Sequence, residues 1–419
     1  MQQTSRPTAV EICAGAGGQV LGLHRAGFDH VLAVELDATA AQTLRQSTGI
    51  EVAVGDVADS AVWRPIDYAG VDLLAGGVPC PPFSVAGRQL GSSDERDLFA
   101  WAVEQVAIVK PRALLLENVR GLAAPRFSGY RQRVLDRLAQ LGYVANWRLL
   151  QAADFGVAQL RPRFVLVAMR PDDAAYFRWP QPHARRTTVG ETIGDLMAEN
   201  GWKHVDDWVA MANGVGPTLV GGSKKHGGAD LGPTRAKAGW AKLAVDGHGI
   251  ANASPEMNAL HPSARYPRLT IPMAARLQGW TEKDKWQFAG RKTSQYRQIG
   301  NAFPPPVAEA IGHAIRAALA HEGVPHEVPQ LSADLQDPVY RALATAGEYV
   351  SLERLVRMVT ETTTATVEQR LAMLAQDFAV EVKVTERSTS YKLGGFKGFT
   401  GQPEHLRNHF LKNHRSRVS

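Results

Sequence analysis

A cysteine set between prolines, Pro79-Cys80-Pro81-Pro82-Phe83-Ser84, and an acid 37 residues beyond it, Glu117-Asn118-Val119, are the parts of this chain best equipped for chemistry. Each follows a short apolar run, 71–75 and 113–116, of the kind that forms a buried parallel strand whose carboxyl end opens into a site. A nucleophilic thiol and a proton-carrying carboxylate would then meet at one sheet edge. A lone buried cysteine is more often an inert small hydrophobe. A Gly-Gly-Val-Pro-Cys-Pro-Pro loop is poorly suited to core packing, however, and this favours a reactive thiol. Cys13 is the only other cysteine.

The elements that must position these groups are legible as alternation. Apolar strand-like runs at 9–12, 31–34, 52–54, 71–75, 114–116 and 164–167 are separated by helical stretches such as 96–110, where Leu98, Ala102, Val106 and Val109 share a face. That alternation predicts an α/β fold with a doubly wound sheet over the first ~170 residues. Segment 171–265 reads differently, with prolines, many glycines and four tryptophans (Trp179, Trp202, Trp208, Trp240) but no sustained period. That pattern suits an irregular, loop-dominated recognition domain. Helical spacing returns at 269–277 and 306–319. From about Asp337, helices at 339–346, 352–358 and 367–377 and strands at 378–384 and 389–393 predict a small winged-helix-like α+β unit. Thr366-Val367-Glu368-Gln369 reads as the capping box that opens its third helix. The expected division is 1–175, 176–265, a return segment 266–328 that completes the first domain, and 329–419.

Composition sets outer bounds. At 419 residues, 44% hydrophobic and 21% charged, the chain has the make-up of a soluble globular protein of two or three domains. No apolar run approaches the ~18 residues of a membrane span and the N-terminus lacks a signal-peptide core, so the expected location is cytoplasmic. Two cysteines exclude a disulfide framework and provide no metal-type spacing. A net charge of +6 and a pI near 9.3 suit a polyanionic partner without identifying one.

Glu11-Ile12-Cys13-Ala14-Gly15-Ala16-Gly17-Gly18 follows the first strand and precedes a helix at 19–26, where backbone must approach a ligand closely. Glu35-Leu36-Asp37 ends the second strand, where an acid is placed to hold the two hydroxyls of a ribose. Gly55-Asp56-Val57 ends the third. There Asp56 either accepts from an adenine amino group or serves as a plain capping acid. Residue 20 is Val, which departs from the dinucleotide pattern Gly-x-Gly-x-x-Gly, and no phosphate-binding lysine follows. A nucleoside without a pyrophosphate fits better, which points to S-adenosylmethionine.

These segments, with Gln159-Leu160-Arg161-Pro162-Arg163, Arg268-Leu269-Thr270 and Gln298-Ile299-Gly300-Asn301-Ala302-Phe303-Pro304-Pro305, occur in the motif order of the DNA cytosine-5 methyltransferases. Over residues 8 to about 320 the chain resembles that family. The resemblance implies a Rossmann-like methyltransferase sheet, S-adenosylmethionine as cofactor, and double-stranded DNA as substrate with the target cytosine flipped out of the stack. It makes Cys80 the nucleophile toward C6, Glu117 the contact to N3 and the 4-amino group, and Arg163 with Arg161 the contacts to O2 and phosphate. Cofactor contacts are implied at Cys13, Ala14, Gly15, Ala16, Gly17, Gly18, Glu35, Leu36, Asp56, Val57, Pro79, Leu98 and Asn301, the last drawing the final helix back against the glycine loop. The family often has Phe at the position of Cys13 and Gln at that of Pro81, so weaker adenine stacking and a stiffer nucleophile loop are expected here. DNA contacts are implied at Ser84, Arg88 and Gln159, and the 91–94 loop would close over the base. Segment 176–265 becomes the target-recognition domain, with Ser223, Lys224 and Lys225 suited to a groove and its phosphates; a solvated Gly-Lys loop is the alternative.

The type expected is a monomeric enzyme that protects DNA from a cognate restriction endonuclease. Two other readings stay open. A tRNA cytosine methyltransferase has the same framework, and a DNA-binding regulator without catalysis is opposed by the presence of both Cys80 and Glu117. Residues 379–419 hold eight Lys/Arg against three Glu with aromatics interleaved, which favours DNA contact over a merely stabilising cap. A chain ending near Pro329 is expected to keep its catalytic core folded.

Overall fold

The computed structural model describes residues 6–78, 98–221, 229–327, 337–359, 363–386 and 388–405. Its first half alternates as the sequence pattern requires: β1 (Thr8–Ile12), α1 (Gly18–Arg25), β2 (Asp29–Glu35), α2 (Ala38–Thr48), β3 (Val52–Val54), β4 (Leu73–Gly76), α3 (Phe99–Val109) and β5 (Ala113–Val119). Then come α4 (Ser128–Gln140), β6 (Val144–Gln151), β7 (Gln159–Leu160) and β8 (Pro162–Met169). Seven strands form one sheet in the order β3-β2-β1-β4-β5-β8-β6, parallel throughout except that β8 runs antiparallel between β5 and β6. The order reverses between β1 and β4, and the crevice at their carboxyl ends is where such sheets bind ligands. β4 and β5 are unbroken apolar runs because both of their faces are covered. Leu74, Leu114 and Leu116 enter one core; Leu73, Ala75, Ala113 and Leu115 enter the other. β6 escaped the sequence reading because it is an edge strand with Asn146, Arg148 and Leu149 exposed.

Segment 171–265 is less irregular than expected. It holds α5 (Pro171–Ala174), α6 (Val189–Met197), α7 (Val205–Met211), β9 (Gly216–Pro217) and α8 (Thr234–Ala241). None of these helices exceeds nine residues, too short for a period to emerge. Trp202, Trp208 and Trp240 are buried there in one core with Leu269, Met273, Leu277, Tyr296 and Ile299, which lie on or beside α9 (Ile271–Gln278) and α10 (Lys292–Asn301). The chain then returns along α1 as α11 (Pro305–Leu319). Glycine permits that approach, since a Cβ on Gly22 would overlap Pro305 O and Ala308 Cβ, and one on Gly18 would overlap Phe303 O.

The C-terminal unit has winged-helix order: α12 (Pro338–Ala346), β10 (Val350–Ser351), α13 (Leu352–Met358), α14 (Thr364–Asp377), β11 (Phe378–Val384) and β12 (Thr389–Phe396), with sheet order β10-β12-β11. Its third helix starts before the expected capping box. Thr363 is the N-cap, its hydroxyl accepting from Thr366 N at 3.3 Å, so Thr366 lies inside the first turn. This unit is fastened to the catalytic sheet. α14 lies against α4, where a side chain on Gly129 would overlap Leu374. Buried Asp337 accepts from Ser128 Oγ at 2.7 Å, and Tyr340 donates to Asp136 Oδ2 at 3.0 Å. Phe399 belongs to the same core as Leu98, Trp101 and Tyr130. These contacts bear on the expectation that a chain ending near Pro329 keeps its catalytic core folded, because removing the unit strips apolar cover from the core around α3 and α4.

The one cation of α14, Arg370, is half-buried and pairs with Asp337 at 3.4 Å, while the exposed residues Thr364, Ala365, Glu368, Gln369, Ala372 and Gln376 carry no positive charge, so this helix is poorly equipped to seek phosphate. No helix of the described residues is long and apolar enough to cross a membrane. Phe399→Ala should lower stability by about 3–5 kcal/mol, as for other buried Phe truncations, read as an earlier midpoint in denaturant unfolding. An unchanged midpoint would mean that the C-terminal unit lends the catalytic core no packing.

Candidate active site

The glycine loop takes its course from residues at positive φ: Cys13 at 52°, Gly15 at 55° and Gly17 at 84°. Left-handed backbone costs a residue with a Cβ roughly 1–2 kcal/mol, so Cys13 holds a conformation imposed by its neighbours. Ala14 N donates to Val34 O at 3.1 Å and Gly17 N to Ala14 O at 3.0 Å. Gly15 faces open space, with no atom within 4 Å of where its Cβ would stand. Beside it, Glu35 Oε2 accepts from Gly15 N at 2.7 Å and Oε1 from Asp37 N at 2.8 Å. Burial pushes the Glu35 carboxyl above its ordinary range, and each oxygen retains a lone pair for a further donor.

The neighbouring acids have local tasks. Asp37 caps α2, accepting from Thr39 N at 2.8 Å and Ala40 N at 3.1 Å. Asp56 accepts from Ala58 N at 3.1 Å across the turn that follows β3. Val57 and Leu98 are buried in the main core with Val78, and Leu36 is half-buried at the strand end. Open backbone at Gly15, a carboxylate suited to ribose hydroxyls and the lack of a phosphate-binding lysine in the loop together fit a nucleoside cofactor such as S-adenosylmethionine.

The closure of this loop differs from expectation. Asn301 was to draw the last helix inward, yet it is exposed beside Gly221. The backbone of Phe303 and the methyl of Ala302 meet Gly18 instead. Trp286, in no motif, supplies a second cover. Its Nε1 donates to Ala16 O at 3.0 Å, and its ring stands where a side chain on Gly17 would go. A lone Trp in the otherwise polar run 281–287 was the available signal.

Glu117 ends β5 with its carboxylate buried. Val119 pairs with Arg163 across the β5–β8 ladder, so Glu117 and Arg163 are diagonal neighbours on one face, and Arg163 Nε lies 2.5 Å from Glu117 Oε1. Burial pushes the Glu117 carboxyl up, and Arg163 and Arg161 pull it partly back. Burial thus favours the protonated carboxyl more than in an exposed acid. A Cβ on Gly77 would stand 3.6 Å from Glu117 Oε2; the chain leaving β4 passes this acid, and Cys80 comes three positions later. Pro79, Cys80, Ser84, Arg88, Ser223, Lys224 and Lys225 lie outside the described residues.

Two expected contacts turn inward. Arg161 is 1% exposed and donates to the backbone carbonyls of Leu219, Gly300 and Ala302, so its donors face protein and not a base. Gln159 is fully buried. It donates to Leu277 O at 2.9 Å and accepts from Leu219 N at 3.0 Å, which removes it from any DNA-facing surface. His204, Asp207 and His261 have ligand atoms within 4.8 Å of one another. Ser263 N, however, donates to His261 Nδ1 at 3.1 Å, which leaves the ring proton on Nε2, 3.4 Å from Asp207 Oδ2. That is a hydrogen-bonding arrangement and not a metal-ligating one.

Residues 8–317 match the model of the C-5 cytosine-specific DNA methylases. The chain belongs to that family. It is 57% identical over 415 residues to the type II methyltransferase M.NaeI of Lentzea aerocolonigenes, covering 98% of each chain. It is 47% identical over 322 residues to the type II methyltransferase M.NgoMIV of Neisseria gonorrhoeae, covering 75% of this chain and 99% of that one. The solved structure of a Spodoptera frugiperda DNMT2 mutant is similar in fold, with a TM-score of 0.52 at 15% identity over 74% of this chain and 99% of that one. The activity of this methylase is therefore that of a DNA cytosine-5-methyltransferase.

Glu35→Ala removes the carboxylate that accepts from Gly15 N, next to the open position at that glycine. It should weaken S-adenosylmethionine binding by about 1.5–3 kcal/mol, as for hydrogen bonds to a charged group, measured by isothermal titration. Unchanged affinity would move the ribose contact to another residue.

Proposed function

We propose that this methylase transfers a methyl group from S-adenosylmethionine to C5 of a flipped-out cytosine in a short duplex site, through a covalent bond between Cys80 and C6. We propose further that it acts as the monomeric, cytoplasmic modification partner of a type II restriction endonuclease and protects DNA from that nuclease. The observation that supports the mechanism best is the buried Glu117–Arg163 pair beside Gly77, three residues before the thiol. The relatives' type II names support the biological pairing.

Cytosine C5 is a poor nucleophile until a group adds at C6. The Cys80 thiolate forms the S–C6 bond, and the displaced ring electrons are met at N3 by a proton from Glu117. Arg163 holds O2 and shares the carboxylate's charge once the proton has left. When bound, S-adenosylmethionine would supply an electrophilic methyl on a sulfonium sulfur, whose transfer to C5 breaks the sulfur–methyl bond and leaves a neutral thioether. Loss of the C5 proton to solvent then expels the thiolate and restores the ring. Glu35 and the Gly15 edge hold the nucleoside, with Leu36, Asp56, Val57 and Leu98 around it. Segment 176–265 reads the duplex, including Ser223, Lys224 and Lys225, while Ser84 and Arg88 meet the phosphates. Its length between Arg163 and Arg268 supports duplex DNA over tRNA.

Cys80→Ala should abolish methyl transfer and leave cofactor binding intact, and the parent should form a denaturation-resistant adduct with duplex DNA carrying 5-fluorocytosine. An undiminished adduct in Cys80→Ala would sink the mechanism.

The proton on Glu117 sets a pH signature. Its raised pKa keeps the acid form present below that value, so kcat should fall as pH rises through it. Glu117→Gln should lower kcat by about 10²–10⁴ and erase that alkaline limb. A limb that persists in Glu117→Gln would assign the proton elsewhere.

A further inference from the structure

Arg161 stands two residues before Arg163, yet its guanidinium is turned into the protein. Nη1 donates to Leu219 O at 2.8 Å, and Nη2 to Gly300 O at 2.7 Å and Ala302 O at 2.8 Å. These carbonyls come from two stretches far apart in sequence. Leu219 follows β9 in the recognition segment, and Gly300 and Ala302 stand at the end of α10, where the chain passes over Gly18 on its way to α11. Gln159 shares the Leu219 end, accepting from Leu219 N at 3.0 Å, and reaches α9 by donating to Leu277 O at 2.9 Å, from where Gln278 Nε2 bonds Ala302 O at 2.7 Å. A Cβ on Gly300 would overlap the backbone of Gly221, so the two stretches touch directly. Half-buried Thr218 joins the knot from the surface, its hydroxyl donating to Leu160 O at 2.5 Å.

A buried cation is expensive unless its donors are met. A planar fork suits three carbonyls that converge from different directions, whereas an ammonium on a flexible stem does not. Loosening the fork takes a charged donor from the buried Leu219 and Gly300 carbonyls, while Ala302 O keeps Gln278, and frees β8 at its first residues. Arg163 is one of those residues, and it holds Glu117 on the neighbouring strand.

We infer that Arg161 is a positioning residue for methyl transfer, the strut through which the seat of the recognition segment at Leu219 sets the seat of Arg163 and Glu117. This rests on the proposed reading of Glu117 and Arg163 as groups that meet the cytosine. The strut also carries charge. Of the groups facing Glu117, Arg163 and Arg161 are the cations, and Tyr296 on α10 lies near Arg161 with its hydroxyl neutral through burial. Removing the Arg161 cation should therefore shift the Glu117 titration to higher pH, a readout that loss of packing alone does not give.

The test uses the full chain with Arg161→Met, Arg161→Lys and Thr218→Val. It reads S-adenosylmethionine affinity by calorimetry and single-turnover methyl transfer against pH on a duplex whose methylated site has been mapped by bisulfite sequencing. Arg161→Met should keep cofactor affinity, lose about 10- to 100-fold in rate, the scale of a sub-ångström misplacement, and move the alkaline limb upward. Arg161→Lys keeps a charge but not the fork, so the limb should stay while the rate is not restored. Thr218→Val should show a smaller rate loss with normal affinity. Parental rate and limb in Arg161→Met, or full rate in Arg161→Lys, overturn the inference. So does a loss of cofactor binding in step with rate in both Arg161 variants alongside a normal Thr218→Val. A parent chain that methylates no duplex would instead sink the underlying functional reading.

Discussion

The contact between α1 and the returning chain at Phe303–Pro305 is the constraint on which the rest of this methylase depends. α1 begins at the glycine loop, so the surface that carries the loop also receives the last helix of the methylase region. The loop and the short helix it opens must therefore satisfy different demands. Gly15 leaves room for a ligand, whereas Gly18 and Gly22 leave none for anything but backbone. Inserting even a methyl into such an interface forces shifts that typically cost about 1–3 kcal/mol. Here the shift would be transmitted straight to the cofactor loop, because Trp286 and Phe303 bear on it directly.

Buried charge is the second organising fact. Glu117, Arg161 and Arg163 lie together in the interior, and their chemistry is divided by what each can reach. Arg163 meets the carboxylate, while Arg161 spends its donors on backbone carbonyls. Motif spacing alone treats the two arginines alike, since both follow the same short run. Only the paths of distant segments distinguish them.

The alternation of apolar runs and helical faces made the seven-stranded core largely readable, and the acids at strand ends followed from it. Glu35 and Glu117 were assigned because a strand end plus an acid is a local pattern. What escaped was non-local. Trp286 reaches Ala16 across more than half the chain, and Gln159 looks polar enough for DNA until Leu219 and Leu277 enclose it. Segment 171–265 looked loop-dominated because helices of nine residues or fewer carry too little length for periodicity, although its tryptophans announced a core. The winged-helix order at the C-terminus was visible. Its attachment was not, since Phe399 and Leu374 carry no mark of whether they face their own unit or a neighbour.

That attachment has an evolutionary consequence. The M.NgoMIV relative matches three quarters of this chain, so methylases of the family exist without a counterpart to its remainder. A chain cut after residue 327 would bare Gly129, Tyr130 and the aromatic floor around Trp101 at once. The apolar seam therefore gives the C-terminal unit a reason to be kept that is separate from any task it performs: it is part of the wall of its neighbour's core.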